Sequence, residues 1–204
     1  RGGAATTITL TRVALTTEDV VVEQLAGGVI RVEVRSFTRG VGREVRQALS
    51  LDEGIYSGGV ILDLRSNPGG LLDEAVEVAS LFLDGGPVVS YEQRNAPDRV
   101  IEAVGVGDTT TPVVVLVDGG TASAAEVVAA ALQDRNRAVV VGGRTYGKGS
   151  VQVPTELSDG SAIEITIGRY LTPAGRSIDG RGIEPDVLVD PAATPEVAEQ
   201  RAIE

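Results

Sequence analysis

Apolar segments that each lead through a glycine-rich turn into a helical pattern constrain the fold of this chain most. Residues 111–118 form a continuous run rich in β-branched side chains, which is typical of a strand buried on both faces. The run passes through residues 119–123 into an alanine-rich helical pattern at residues 124–133. Because similar strand and helix pairs recur along the chain, the sequence predicts a layered α/β domain.

The remaining elements follow from the same kinds of pattern. We expect strands at residues 29–34, 60–65, 88–94, 99–104 and 138–141, short extended pieces at 6–12 and 20–22, and a hairpin of 151–154 with 163–171. We expect the other helices at residues 39–51, 71–83 and 195–203. Sites in such folds form beyond the carboxyl ends of strands, so the glycine-rich segments 66–70, 119–123 and 142–149 are the candidate site segments.

The composition narrows the chemistry that such a site can use. The 204 residues include no histidine and no cysteine, which excludes Ser-His-Asp and Cys-His catalysis, histidine-ligated zinc and thiolate metal sites. The net charge of −11 argues against a nucleic-acid-binding surface and against a polybasic membrane surface. A nucleophilic enzyme of this composition must therefore activate its nucleophile without histidine.

Lys148 is the single lysine among 18 basic residues. Lysine differs from arginine in that it can lose its proton when it is buried, so it can act as a general base. The alternative is that Lys148 has no special role and is a lysine by chance in a composition biased towards arginine. The ratio alone does not decide between these two interpretations.

Ser123 follows the most apolar predicted strand and precedes a predicted helix, where N–H groups and the helix dipole favour developing negative charge. A structural role is the simpler interpretation, because Ser123 and Glu126 have the spacing of a capping box. The chain has eleven serines, so this position alone does not select a nucleophile.

Gly69 and Gly70 end the string that follows the predicted strand at residues 60–65. Pro-Gly-Gly before a helix is compatible with simple turn chemistry. The functional interpretation is a loop of backbone donors, because glycine lets main-chain N–H groups approach a substrate oxygen closely. One donor from Gly69 or Gly70, together with the N–H of Ala124, would complete an oxyanion hole.

The segment at residues 142–149 nearly matches the phosphate-binding pattern G-x-x-x-x-G-K-[ST]. Position 149 is glycine, and a strand-like pattern follows where that motif requires a helix. The sequence therefore favours a lysine on a tight glycine turn between apolar strands, where desolvation would favour the neutral amine. Gln152 is expected on the same face of an extended strand as Ser150, and its side chain could hydrogen-bond a nearby amine.

Three strings, in this order and spacing, resemble the C-terminal processing (tail-specific) serine peptidases. They are DLRSNPGG at residues 63–70, GGTASAAEV at 119–127 and GRTYGKGSVQ at 143–152, with further matches at 71–83 and 169–187. The resemblance covers roughly residues 6–190 and implies Ser123 as nucleophile, Lys148 as base and Gln152 as the residue that orients the lysine. Ala125 departs from the family, which usually has a further serine there that is not the nucleophile.

The resemblance also implies a fold and a biological role. The fold is expected to be crotonase-like, an α/β layered spiral core with additional β hairpins, and the activity is endoproteolysis near the C-termini of protein substrates with apolar tails. Residues 1–25 are expected to be the end of a PDZ domain with its connecting strands, and residues 26–204 the peptidase core. The missing PDZ domain is expected to regulate the core, a homo-oligomer is one alternative for its assembly, and the expected location is the periplasm or another cell-envelope space. No metal, nucleotide or other cofactor is implied.

Two other functions stay open at the level of sequence. The core could be a non-catalytic peptide-binding scaffold if Lys148 is held away from Ser123. It could also be an acyl-transfer enzyme on the same fold, which would need a pocket for a nucleotide-bearing thioester. The acidic net charge gives the second alternative no support.

Overall fold

The computed structural model describes residues 7–11, 18–51, 58–93, 97–190 and 193–203. The strands are β1 (Val20–Gln24), β2 (Val29–Val34), β3 (Gly59–Asp63), β4 (Pro87–Gln93), β5 (Arg99–Glu102), β6 (Val113–Val117), β7 (Val139–Gly142), β8 (Ser150–Glu156), β9 (Ala162–Leu171) and β10 (Val187–Leu188). The helices are α1 (Val41–Leu51), α2 (Leu72–Ser80), α3 (Ala124–Asp134) and α4 (Pro195–Ile203).

The larger sheet has six strands in the order β1-β2-β3-β6-β7-β10. The five strands from β2 to β10 are parallel to their neighbours, and β1 is added antiparallel at one edge. The central strand β3 is buried along its whole length, as expected for a parallel sheet that is covered on both faces. The carboxyl ends of β3, β6 and β7 therefore meet at one edge of the sheet.

Helices cover both faces of this sheet. Side chains from α1, α2 and α3 belong to the main hydrophobic core, together with the sheet residues Val32, Leu62 and Val115. The hydrophobic core on the opposite face is smaller, and there Ala198 of α4 packs with Leu116. The layered α/β arrangement predicted from the sequence is therefore confirmed.

The smaller sheet has four antiparallel strands in the order β5-β4-β9-β8. Its longest pairing is the β8–β9 hairpin, in which Ser150 is opposite Arg169 and Glu156 is opposite Ala162. This hairpin confirms the one predicted from the sequence. Since β8 begins directly after the glycine-rich segment that contains Lys148, the hairpin extends from the edge of the sheet where a site was expected.

Two expected elements differ from the structure by more than two residues at an end. Helix α2 ends at Ser80 rather than continuing to residue 83, because the N–H groups of Leu81 and Phe82 bond carbonyls three residues back and tighten the last turn. The strand expected at residues 6–12 is wrong for residues 7–11, which are in no strand or helix. Its first and last positions lie outside the described residues.

The segment that was expected to end a PDZ domain includes β1. This strand pairs with β2 along its whole length, from Val20 opposite Val34 to Gln24 opposite Ile30, so it is the edge strand of the larger sheet. The assignment of residues 1–25 to a PDZ domain stays a prediction. None of the helices in the described residues is long and apolar enough to cross a membrane.

Candidate active site

Ser123 occupies a sharp turn between β6 and α3. Its backbone angles are φ 56° and ψ −119°, whereas an ordinary N-cap residue has an extended backbone. A positive φ in a residue other than glycine is strained, and such strain is concentrated at functional sites. A strained serine between a strand and a helix has the geometry of a nucleophile elbow, which presents the hydroxyl to a substrate.

The glycine loop (residues 66–70) packs directly against this serine, which ends the nucleophile turn (residues 119–123). A Cβ atom at Gly69 would lie 2.9 Å from Ser123 Cβ and 3.0 Å from the backbone nitrogen of Ala124, and the φ of Gly69 is +102°. A larger residue at this position would therefore collide with the nucleophile turn. Glycine is required here because the two backbones approach so closely.

The backbone N–H groups of Gly70 and Ala124 lie beside Ser123. Neither has a protein acceptor among the described residues. Ala124 is the first residue of α3, where the N–H groups have no partner inside the helix. The carbonyl of Gly69 accepts the N–H of Phe37 at 2.9 Å, and in a planar trans peptide the N–H of Gly70 points the opposite way. Ala124 is buried, where unpaired backbone donors are rare, and Gly70 is exposed and accessible to a ligand, so this pair is a candidate site for a substrate oxygen.

Gly69 itself is already engaged, because its N–H donates to Asn67 Oδ1 at 2.8 Å. Sequence reasoning left the choice between Gly69 and Gly70 open. The hydrogen bonds now favour Gly70 as the donor that is available to a ligand.

A buried carboxylate connects the nucleophile turn to the lysine segment. Glu126 is fully buried, and its Oε2 accepts the backbone N–H groups of Ser123 at 2.8 Å and Lys148 at 2.9 Å. Its Oε1 accepts the hydroxyl of Thr145 and the N–H of Gly147. Because both backbone nitrogens contact Oε2, the distance between them is at most the sum of these two distances. The structure therefore brings the backbones of Ser123 and Lys148 together.

Sequence reasoning recognised Glu126 only as the partner in a capping box. The half of that motif in which Glu126 accepts the Ser123 N–H is present. The carboxylate's bonds to the lysine segment were missed, because no local pattern indicates a contact between residues so far apart in the chain. Its apolar neighbours in the alanine-rich helix were the available signal, since a glutamate among them is expected to be buried and paired.

The side chain of Lys148 is exposed, although its neighbours Gly147 and Gly149 are buried. A Cβ atom at Gly147 would lie 2.9 Å from the nitrogen of Gly182, and one at Gly149 would lie 2.3 Å from the nitrogen of Asp179. The backbone of this turn is thus held against another loop, and the lysine side chain extends away from it. The expectation that Lys148 is buried is therefore wrong. Among the described residues, no hydrogen bond joins Lys148 Nζ to Ser123 Oγ.

Gln152 is exposed and lies beside an irregularity in the pairing of β8 with β9. Val151 is opposite Gly168 while Gln152 is opposite Thr166, so the extra residue of this bulge is Ile167 in β9. Strand β8 has no extra residue, and its side chains alternate regularly between the two faces. The pairing is therefore consistent with the expectation that Gln152 shares a face with Ser150.

Polar contacts join the loops that carry the glycines and the nucleophile. The carboxylate of Asp118 accepts the N–H groups of Ser66 and Gly120, each at 2.8 Å. The buried hydroxyl of Thr121 donates to the carbonyl of Leu64 at 2.8 Å. These bonds fix the two loops relative to each other at the carboxyl ends of β3 and β6.

An ion cluster lies at the start of the glycine loop. Arg65 donates to both oxygens of the buried Asp63 and, at 2.8 Å, to Glu199 of α4. The hydrogen bond with Asp63 raises the pKa of Arg65 above its ordinary value, and burial opposes this only in part. The cluster therefore attaches α4 to the end of β3. Among the described residues, no group of three or more acidic, histidine or cysteine side chains is placed to hold a metal ion.

Comparison with known proteins assigns the chain to a family. The chain is 36% identical over 184 residues to the carboxy-terminal processing protease CtpA of Bacillus subtilis, covering 90% of this chain and 40% of that protein. It is 42% identical over 160 residues to the chloroplastic carboxyl-terminal-processing peptidase 3 of Arabidopsis thaliana, covering 76% of this chain and 30% of that protein. The solved structure of a photosystem II D1 C-terminal processing protease superposes with a TM-score of 0.82 at 34% identity, covering 95% of this chain and 53% of that one.

The chain thus spans less than half the length of these curated relatives, which are bacterial in one case and chloroplastic in the other. The model of peptidase family S41 matches residues 28–189. That range includes the nucleophile turn, the glycine loop and the lysine segment that the structure brings together. The chain therefore belongs to peptidase family S41.

Proposed function

We propose that this chain is the catalytic part of a C-terminal processing serine endopeptidase in which Ser123 and Lys148 form the catalytic dyad. The observation that carries the proposal is the strained turn at Ser123 with the unpaired N–H groups of Gly70 and Ala124 beside it. A nucleophile next to backbone donors that have no protein acceptor is an arrangement that suits acyl transfer. The family membership supports the same reaction class.

In the proposed first step, Ser123 Oγ forms a bond to the scissile carbonyl carbon, and its proton moves to the neutral amine of Lys148. The ammonium then returns this proton to the leaving amine as the peptide bond breaks, which leaves an ester on Ser123. Water hydrolyses the ester, and Lys148 takes a proton from that water before returning it to Ser123 Oγ. Each proton and bond is accounted for without a metal or cofactor.

The N–H groups of Gly70 and Ala124 would bind the oxygen that becomes negative when the carbonyl is attacked. The N-terminus of α3 adds a favourable dipole at the same point. Gln152 is proposed to orient the Lys148 amine by a hydrogen bond. Because the side chains of Lys148 and Gln152 are exposed, we infer that a bound substrate covers them and excludes water during the reaction.

The proposed substrates are proteins with apolar C-termini. An apolar surface on the β8–β9 hairpin supports this, since the side chains of Val153, Ile163, Ile165 and Ile167 are all exposed there. Val153 is opposite Ile165, so both belong to one face of the hairpin. Such a surface, close in sequence to Lys148, suits the binding of an extended apolar segment.

The remaining parts of the proposal concern the whole protein. A PDZ domain is proposed to regulate the site, the periplasm or another cell-envelope space is the proposed location, and a homo-oligomer is one proposed assembly. The relatives support the class of peptidase, while their locations include the chloroplast as well as bacteria.

The test is an assay on an unfolded protein that ends in apolar residues, with the parent chain and its Ser123→Ala variant. We expect the parent to release fragments cut near the C-terminus and the variant to be inactive but folded by circular dichroism. A parent that binds this substrate without cutting it would support the peptide-binding scaffold instead. Transfer of an acyl group from a coenzyme A thioester, with no cleavage of protein, would support the acyl-transfer alternative.

A further inference from the structure

The side chain of Asn67 lies between Gly69 of the glycine loop and the end of β2, and it is completely buried. Its Nδ2 donates to the carbonyl of Val34 at 2.7 Å, and its Oδ1 accepts the N–H of Gly69 at 2.8 Å. The side chain therefore connects the strand to the loop with one donor and one acceptor. Few other side chains of this size present both groups in this geometry.

The backbone of Asn67 is bound on its other side to the nucleophile turn. Its carbonyl accepts the N–H of Ala122, the residue before Ser123, at 2.9 Å, and its own N–H donates to the carbonyl of Leu64. Asn67 thus contacts the glycine loop, the nucleophile turn and the end of β2 at once. A residue in this position can fix the distance between the loop and the nucleophile.

The two peptide groups that follow Pro68 are each held by a single set of bonds. The N–H of Gly69 is held by Asn67, and the carbonyl of Gly69 is held by the N–H of Phe37 and the hydroxyl of Ser36. Gly69 and Gly70 both have positive φ values, and glycine restricts backbone rotation less than any other residue. The bond to Asn67 thus fixes the Pro68–Gly69 peptide, while the bonds to the Gly69 carbonyl fix the next peptide, which carries the Gly70 N–H.

We propose that Asn67 is a positioning residue for the oxyanion hole: by holding the N–H of Gly69, it fixes the start of the loop segment that presents the N–H of Gly70. This inference rests on the proposed function and goes beyond it in one respect. It assigns the placement of the Gly70 donor to a buried side chain whose hydrogen bonds go to Val34 and Gly69 and not to Ser123 Oγ. Asn67 acts on the transition state, where the oxygen carries charge, more than on the bound substrate.

The first experiment needs no substitution. In the free 21.0 kDa chain, NMR hydrogen exchange of the two amides should show Gly69 protected and Gly70 exchanging rapidly. A peptide aldehyde that ends in an apolar residue forms a hemiacetal oxygen on Ser123, and its addition should protect the Gly70 amide and shift its resonance. Protection gained by Gly69 in place of Gly70 would overturn the assignment.

The second experiment is Asn67→Ala, with Ser80→Ala as the matched control. Ser80 is also buried and also bonds two backbone groups, the carbonyl of Val76 and the N–H of Val104, but these lie outside the site. We expect kcat of Asn67→Ala to fall about 100- to 1000-fold with little change in KM, as when an oxyanion donor is removed. Ser80→Ala should keep the parental kcat although it loses a buried hydrogen bond of the same kind.

A purely structural role for Asn67 predicts a different result. In that case the affinity for the peptide aldehyde and the affinity for an uncleaved peptide would fall together. We expect only the aldehyde affinity to fall, with the peptide affinity, measured in the Ser123→Ala background, unchanged by Asn67→Ala. Parental kcat in a folded Asn67→Ala variant would overturn the proposal.

If Asn67→Ala does not fold, Asn67→Asp replaces it, since it has the same shape and keeps an oxygen for the N–H of Gly69. Above neutral pH the second carboxylate oxygen would face the Val34 carbonyl, which repels it, so kcat should fall at least about tenfold with KM unchanged. An unchanged kcat in this variant would also count against the proposal. An inactive Ser123→Ala variant alongside an active Asn67 variant would reject only this inference, whereas an active Ser123→Ala variant would reject the proposed function.

Discussion

The backbone N–H groups of Ser123 and Lys148 donate to the same oxygen, Oε2 of Glu126, at 2.8 Å and 2.9 Å. This shared acceptor sets the separation of the two residues through their backbones. Their side chains, which carry the proposed chemistry, extend from that fixed base. The positions of the proposed nucleophile and the proposed base are therefore determined together by one buried group.

Glu126→Gln should inactivate the chain and destabilise it. An amide has one acceptor oxygen, so its NH2 group would face two of the four donors that now bond the carboxylate. We expect a loss of about 2–4 kcal/mol in the free energy of unfolding and a fall in kcat of at least about 100-fold, measured by urea unfolding and peptide cleavage. Glu102→Gln, at an exposed position on β5, is the charge-matched control and should change neither.

Lys148→Arg should remove the activity of a folded chain. The guanidinium stays protonated at any pH that the fold survives, so it cannot accept the serine proton. We expect turnover to fall at least about 100-fold, as for loss of a general base. Arg181→Lys makes the reverse exchange at an exposed position in the neighbouring loop and should keep parental turnover. Substantial turnover in Lys148→Arg would mean that another group is the base.

The rate should rise with pH for the parent chain. Only an unprotonated amine can accept the serine proton, so an amine base is more effective at higher pH. At low pH we therefore expect a folded but inactive chain, which kcat/KM profiles and circular dichroism over the same pH range would reveal. A rate that is flat in pH while the fold is intact would contradict an amine base.

Gly69→Ala should abolish activity because the new side chain would collide with the turn of Ser123, in addition to straining the backbone. The added Cβ would meet the Ala122 carbonyl oxygen at 2.8 Å and Ser123 Cβ at 2.9 Å. Gly160→Ala is the matched control, because Gly160 has a φ of +81° but nothing within 4 Å of the position of a Cβ. We expect the control to lose about 1–2 kcal/mol of stability with full activity, and Gly69→Ala to lose more stability and its turnover.

Gln152→Ala should reduce turnover less than Lys148→Ala, since Gln152 orients the base and takes no proton. Gln24→Ala is the control, because Gln24 is also an exposed glutamine in a strand but lies in β1 of the larger sheet. Steady-state kinetics of the three variants would decide the order. Equal turnover in the Gln152 variant and the parent would remove Gln152 from the proposed site.

The sequence predicted the parts of the site that depend on local pattern. The apolar run at residues 111–118 and the glycines after it place Ser123 at a turn between a strand and a helix, and the structure has this arrangement. Gly69 was singled out because Pro-Gly-Gly follows a strand. The close approach of its backbone to Ser123 explains why glycine is present.

The parts that depend on three-dimensional register could not be read from the sequence. Apolar neighbours predicted a buried Lys148, yet they bury the backbone of the turn and leave the side chain outside. Strand alternation placed Gln152 with Ser150, but it gave no sign of the bulge at Ile167 of β9 that shifts the register opposite Gln152. The second role of Glu126 depends on the segment of Thr145, Gly147 and Lys148, which lies about 20 residues further along the chain.

The four hydrogen bonds to Glu126 also bear on how the chain acquires its reactivity during synthesis. A carboxylate without partners is too costly to bury, so Glu126 can enter the core only when the turn of Ser123 and the later segment of Lys148 are both in place. A nascent chain that has emerged as far as α3 would hold this region open to water, with its serine unaligned. The alignment of Ser123 with the segment of Lys148 is therefore expected only in the completed core.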